Sequence, residues 1–140
     1  RNRDTRTDGV GPWLGMTNPA IRGNSLNRTG GDAIIVCEAA APLIEHNVAA
    51  NSYYDSVGYH AAIWAINSDD ALFQYNEAYL TRNTLDGMGF DIDELCNRCV
   101  MQYNYSHDNE GGFMLLVGLG ILGFMVSRTR IHQALKLGED

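Results

Sequence analysis

Seven titratable side chains fall within residues 83–113: Asp86, Asp91, Asp93, Glu94, His107, Asp108 and Glu110. Carboxyl groups at this density suit general acid–base work, and glycoside hydrolysis in particular uses two of them, one on either side of the scissile bond. In "GFDID" the polar and apolar residues alternate. On a strand, Phe90 and Ile92 would share one face while Asp91 and Asp93 share the other, roughly 7 Å apart. Asp86 lies in the turn before that strand, and His107, Asp108 and Glu110 lie in the next such turn. Asp91, Asp93, Asp86, His107 and Glu110 therefore form the candidate catalytic set. The same carboxylates have two other readings. Their hard oxygens suit Ca²⁺, held structurally or together with substrate, and aspartate is common in turns because it bonds to local backbone. His107 is either a general acid or base or a solvent-exposed turn residue. Ca²⁺ is the one cofactor these residues suggest, and no dedicated metal site is expected.

Sugar rings stack on aromatic side chains. Tyr53, Tyr54 and Tyr59 crowd into one loop beside His60, and Arg82 and Arg98 flank the acidic strand. These six are the candidate substrate-binding residues. Tyr75 and Tyr103 occupy equivalent places in a repeat and are expected to stack on each other. The "SDDA" at 68 to 71 reads as a turn. "CNRC" has the spacing of a metal-binding pair, but a structural zinc site needs a second pair and only Cys37 remains. The three cysteines read as ordinary half-buried residues.

A repeat must position these side chains. "AIRGNSL", "LIEHNVA", "LFQYNEA" and "VMQYNYS" align on Asn24, Asn47, Asn76 and Asn104. Each segment is followed, after a small or polar stretch, by a second apolar strand: "GDAIIVC", "YHAAIWAIN", "GFDIDEL" and "GGFMLLV". No segment of the first 110 residues carries a sustained helical stripe, and Pro42 interrupts the alanine-rich residues 33–50. Short strands recurring every 22 to 30 residues imply a coil of two or three strands per turn, with rungs about 4.8 Å apart sharing one core. Expected inward residues are Ile21, Leu43, Leu72 and Val100 on one strand. Phe90, Ile92, Phe113 and Leu115 are those expected on the other, with Met114 and Leu116 beside the two aspartates. Stacked asparagine amides would bond from rung to rung.

These repeats resemble the right-handed parallel β-helix proteins of the pectate-lyase-like superfamily over about residues 18 to 117. The resemblance implies an all-β, right-handed parallel β-helix of about four to five rungs. "NTLDGMGFDI" resembles the "NTDGFDI" strand of polygalacturonases with two insertions, Leu85 and the pair Met88–Gly89, which would align Asp86 with a catalytic aspartate. Asp108 and Glu110 stand nearest the double aspartate found one rung later in that family. The resemblance implies a secreted or cell-surface protein that acts on polysaccharide by hydrolysis or lysis. Lysis would call for an arginine or lysine base with Ca²⁺, and Arg82 and Arg98 flank the strand. The same coil also serves adhesins, so a non-catalytic carbohydrate-binding or structural module is the alternative.

The remaining features bound this reading. The formal net charge is -7, with nine arginines and a single lysine, Lys136. No basic face is visible for nucleic acid. Residues 1–17 read as a polar segment or partial rung, residues 18–126 as the rungs, and residues 127–140 as a polar tail, a short capping helix or disordered. Residues 113–126 carry no charge. They are shorter than the roughly 20 residues of a membrane span and are rich in glycine, so strand–turn–strand is expected and membrane insertion is not. The chain reads as a piece of a longer protein.

Overall fold

A computed structural model describes residues 15–53, 61–83 and 85–116. The described residues contain strands and no helix, and the strands build three parallel four-stranded sheets. The first sheet joins β1 (Ala20–Arg22), β4 (Leu43–Glu45), β7 (Leu72–Gln74) and β10 (Val100–Gln102). β2 (Ser25–Asn27), β5 (Val48–Ala50), β8 (Glu77–Tyr79) and β11 (Tyr105–His107) form the second. The third holds β3 (Ile34–Cys37), β6 (Ile63–Ile66), β9 (Met88–Ile92) and β12 (Gly112–Leu116). The chain visits the three sheets in turn, adding one strand to each before returning to the first. Three strands per turn is the upper of the two expected numbers. The alanine-rich residues 33–50 are strand, as Pro42 implied.

The corners explain the repeat. Four columns of residues have positive φ: Gly15, Glu38, Asn67 and Leu95; Asn18, Ala41, Asp70 and Arg98; Gly23, His46, Tyr75 and Tyr103; Arg28, Asn51, Leu80 and Asp108. A single left-handed residue turns the chain sharply, at a steric cost for any side chain but glycine. Stacking of identical corners offsets that cost. The third column shows how: His46 stacks on Tyr75 and Tyr75 on Tyr103, each pair with ring centroids 5.2 Å apart. From first corner to fourth the spacing never changes. All variation in rung length falls between the fourth corner and the next first corner, where the loops leading into the third sheet lie.

Just inside the third corner runs the asparagine ladder. Asn24 donates through its backbone N and its Nδ2 to Oδ1 of Asn47, at 3.0 and 2.9 Å. Asn47 repeats this to Asn76 at 3.0 Å for both bonds, and Asn76 to Asn104 at 2.9 Å for both. The second amide hydrogen goes to a backbone carbonyl, Ile21 O from Asn47 and Ile44 O from Asn76. Asn47 and Asn76 are thus buried with their hydrogen-bonding capacity used.

On the first sheet Ile21 faces the core as expected, but the other three inward positions are shifted by one residue. Register aligns Ile21 with Ile44, Phe73 and Met101, and these face the core, whereas Leu43 and Leu72 are only half-buried and Val100 is exposed. The strands are three residues long between two left-handed corners, so the middle residue is the one that points inward. On the third sheet Phe90 and Ile92 are core residues, as expected. The next rung is offset by one residue from expectation: Met114 pairs with Phe90, Leu115 with Asp91 and Leu116 with Ile92, while Gly112 pairs with Met88. Met114 packs against the core and takes the position expected of Phe113. Residues 1–14 and 117–140, including the expected polar tail, lie outside the described residues. Among the described residues no helix is long and apolar enough to cross a membrane.

Candidate carboxylate site

The site lies on the outer face of the third sheet. Phe90 and Ile92 point into the core, so Asp91 between them points away from it. In register beside it stand Trp64 on β6 and Leu115 on β12, with Ile35 one rung beyond Trp64. Trp64 clusters with Ala61 and Met88, and Ile35 and Ile66 pack against them. This outer face is therefore an apolar surface with a carboxyl set in it.

Asp91 is only 3% exposed, and its Oδ1 is buried without a hydrogen-bond partner. Burial pushes its carboxyl up to about 7, and the charges of Asp93 and Asp86 add to the shift. An ionised carboxylate here would lose its hydration and face two like charges, so the proton stays on. Asp93 follows the end of β9, half-buried, with Oδ1 accepting from the backbone N of Glu94 at 2.7 Å. Asp86 is held by the turn before β9, where Oδ1 of Asn83 accepts from the backbone N of Leu85 at 2.8 Å and of Asp86 at 3.3 Å. A side chain at position 111 would run into the carbonyl oxygen of Asp86, so Gly111 of the next rung is what lets that turn sit close.

Three of the five carboxylate and histidine candidates, Asp86, Asp91 and Asp93, are therefore brought within electrostatic reach of one another. The other two are engaged elsewhere. His107 is on β11, in the second sheet, stacked against Tyr79 at 4.8 Å and Tyr105 at 4.4 Å. Its Nδ1 lies 2.7 Å from Asp108 and its Nε2 3.1 Å from Glu77. Desolvation opposes its charge, but hydrogen bonds to the two carboxylates outweigh that and raise its pKa. Both ring nitrogens are engaged by carboxylates of the second sheet and its corner, on a different sheet from Asp91. Glu110 is paired with Arg82 at 3.4 Å.

The substrate-binding candidates divide similarly. Tyr53 is buried, at a left-handed turn position, and is not a loop-tip platform. Tyr54, Tyr59 and His60 lie outside the described residues. Arg98 makes a two-pronged pair with Asp70, at 2.7 and 2.8 Å, and Arg82 is bound to Glu110, so both arginines link adjacent rungs. Among the described residues no group of three or more His, Cys, Asp or Glu side chains is arranged to hold a metal ion. Sequence reasoning missed Trp64, which neighbours Asp91, and Asn83, which holds the Asp86 turn. Aligning "AIWAI" with "GFDI" by strand register would have placed Trp64 there.

No family model matches the chain, and no solved structure matches it. Among curated proteins it resembles part of lacto-N-biosidase from Bifidobacterium longum subsp. longum, with 33% identity over 123 residues. The match takes in 73% of this chain and the chain spans 7% of that enzyme's length. The similarity is thus to a small part of a carbohydrate-active enzyme.

Proposed function

We propose that these rungs are part of a secreted or cell-surface protein that cleaves glycosidic bonds in a poly- or oligosaccharide, with Asp91 as the proton donor. The supporting observation is the buried, unpartnered carboxyl of Asp91 with a pKa near 7, which keeps a transferable proton at neutral pH. Asp93 and Asp86 are the partner carboxyls, one of which activates water or attacks the anomeric carbon on the opposite side of the sugar. Trp64 supplies an apolar neighbour that keeps the donor dry. Hydrolysis is preferred to lysis because Arg82 and Arg98, the basic residues nearest in sequence to the strand, are held by Glu110 and Asp70. The coil is proposed to be a right-handed parallel β-helix of the pectate-lyase-like kind, since parallel crossovers are overwhelmingly right-handed. Any Ca²⁺ would act through Asp86 and Asp93, which lie to either side of Asp91 in the sequence.

The test is Asp91→Asn in the full-length protein, assayed on an oligosaccharide panel that includes lacto-N-biosides. Loss of turnover with retained glycan binding is expected. Turnover equal to that of the unmodified protein overturns the proton-donor role. Glycan binding without turnover in the unmodified protein would favour a non-catalytic binding module.

A further inference from the structure

"CNRC" is left unused by the carboxylate chemistry. Cys96 and Cys99 stand on either side of the second corner in the fourth rung, where Arg98 has positive φ. In the third rung the equivalent places hold Ser68 and Ala71, and in the second Ala39 and Pro42. Both thiols thus replace small inward residues, and both belong to the same core cluster, Cys96 buried and Cys99 packed against it. Interaction with Cys96 lowers the pKa of the Cys99 thiol, and the same interaction raises that of Cys96. Cys99 in turn donates to the carbonyl of Ser68 at 3.3 Å. The two residues between them are fixed from outside. Asn97 N donates to Ser68 O at 3.0 Å, Asn97 O accepts from Asp70 N at 2.9 Å, and Arg98 grips Asp70. The turn is thus held with both cysteines on its core side.

We propose that Cys96 and Cys99 form a dithiol that closes to an intrachain disulfide, with glutathione disulfide or a protein disulfide as the two-electron oxidant. Cys99 is the attacking sulfur: it is the more accessible of the two, and interaction with Cys96 lowers its pKa. Its thiolate attacks one sulfur of glutathione disulfide and expels a glutathione thiolate, leaving Cys99 in a mixed disulfide. Cys96 then attacks the Cys99 sulfur and releases the second glutathione, which takes up the proton lost by Cys96. Two protein thiols are oxidised and one glutathione disulfide becomes two thiols. Cys37 has no part in this. It ends β3 in another sheet, and burial, with the charges of Glu38 and Asp32, pushes its thiol up and makes it inert. The closed bridge clamps the turn that follows β9 and Asp93. The inference does not depend on the carbohydrate reading.

The experiment uses the full-length protein equilibrated with glutathione disulfide, alkylated and cut with trypsin. Cleavage after Arg98 separates the two cysteines, so the oxidised protein yields two peptides joined through sulfur that part on reduction, while Cys37 is alkylated. Cys96→Ser is expected to trap glutathione on Cys99, and Cys99→Ser to slow reaction at Cys96 at least tenfold. Alkylation of both Cys96 and Cys99 after that equilibration overturns the proposal, as does a bridge from either one to Cys37. Stable glutathione on Cys99 in the unmodified protein also overturns it, because Cys96 would then be out of reach.

Discussion

Two acidic regions sit one sheet apart and have opposite electrostatics. Around β11 every charge has an answer. His107 lies between Asp108 and Glu77 and is stacked between two tyrosines, and Glu110 meets Arg82. Around β9 the carboxyls raise one another's cost of ionisation beside an apolar surface, and Asp91 is buried with an unpartnered oxygen. A satisfied cluster stabilises the rung that carries it. An unsatisfied one costs free energy, and persists where a neutral, proton-bearing carboxyl is useful. The presence of several acidic residues in both regions does not distinguish them; partnership and burial do.

The largest effect expected from breaking this contrast is on turnover. Asp91→Asn removes the proton and should lower kcat about 10³-fold, within the usual range for a general acid. Activity of the unmodified protein should fall as pH rises through about 7, the value to which burial pushes Asp91. A pH–rate profile that stays flat up to pH 9 would contradict the assignment.

Stability should respond with the sign that burial dictates. Between about pH 4 and 7 the folded protein keeps a proton on Asp91 that the unfolded chain has released. Stability must therefore fall as pH rises through that window, by at most about 1.4 kcal/mol per unit and on the order of 4 kcal/mol in all. Asp91→Asn should abolish that slope, leaving the variant more stable than the parent at pH 8 and similar at pH 4 in urea titrations. The fully partnered buried groups should behave in the opposite way. Asn76→Ala strands the carbonyl of Ile44 and the amide and side chain of Asn47, and should cost about 2–3 kcal/mol. An Asn76→Ala variant as stable as its parent would remove the ladder from the account of the fold.

What was legible in the sequence follows the same division. The asparagine ladder and the inward Phe90 and Ile92 could be read because each repeats a recognisable side chain at a fixed place. The second sheet could not. Its inward residues are Leu26, Ala49, Ala78 and Ser106, mostly small, on strands three residues long, and the pattern they leave is indistinguishable from a loop. Beyond Ile21, the inward column of the first sheet was missed by one residue because two apolar residues adjoin and only the corners decide between them. Asp86, Asp91 and Asp93 were legible as a group of residues. The burial of Asp91 was not, since the apolar wall around it comes from Trp64 and Met88, whose packing is a property of the stacked rungs.

At the small end of the scale lie the partnered charges. His107 has a raised pKa, so its contribution to stability is full below about 6.5, its ordinary value, and disappears as pH rises through the raised one. His107→Gln should thus lower stability at pH 5.5 by less than about 1 kcal/mol and have little effect at pH 8.5, with turnover unchanged. A loss of turnover in that variant, at a pH where its fold is intact, would move catalysis toward the second sheet.

Arg98→Ala should do least. Its pair with Asp70 is short and two-pronged, but both partners are exposed, and water and salt screen what the geometry offers. The thermal midpoint should be unchanged in 0.5 M salt and should fall only at low ionic strength, with turnover intact in both. Equal destabilisation at both salt concentrations would mean that Arg98 acts through packing, by holding the corner against the rung below. A loss of turnover would instead return it to the substrate-binding set.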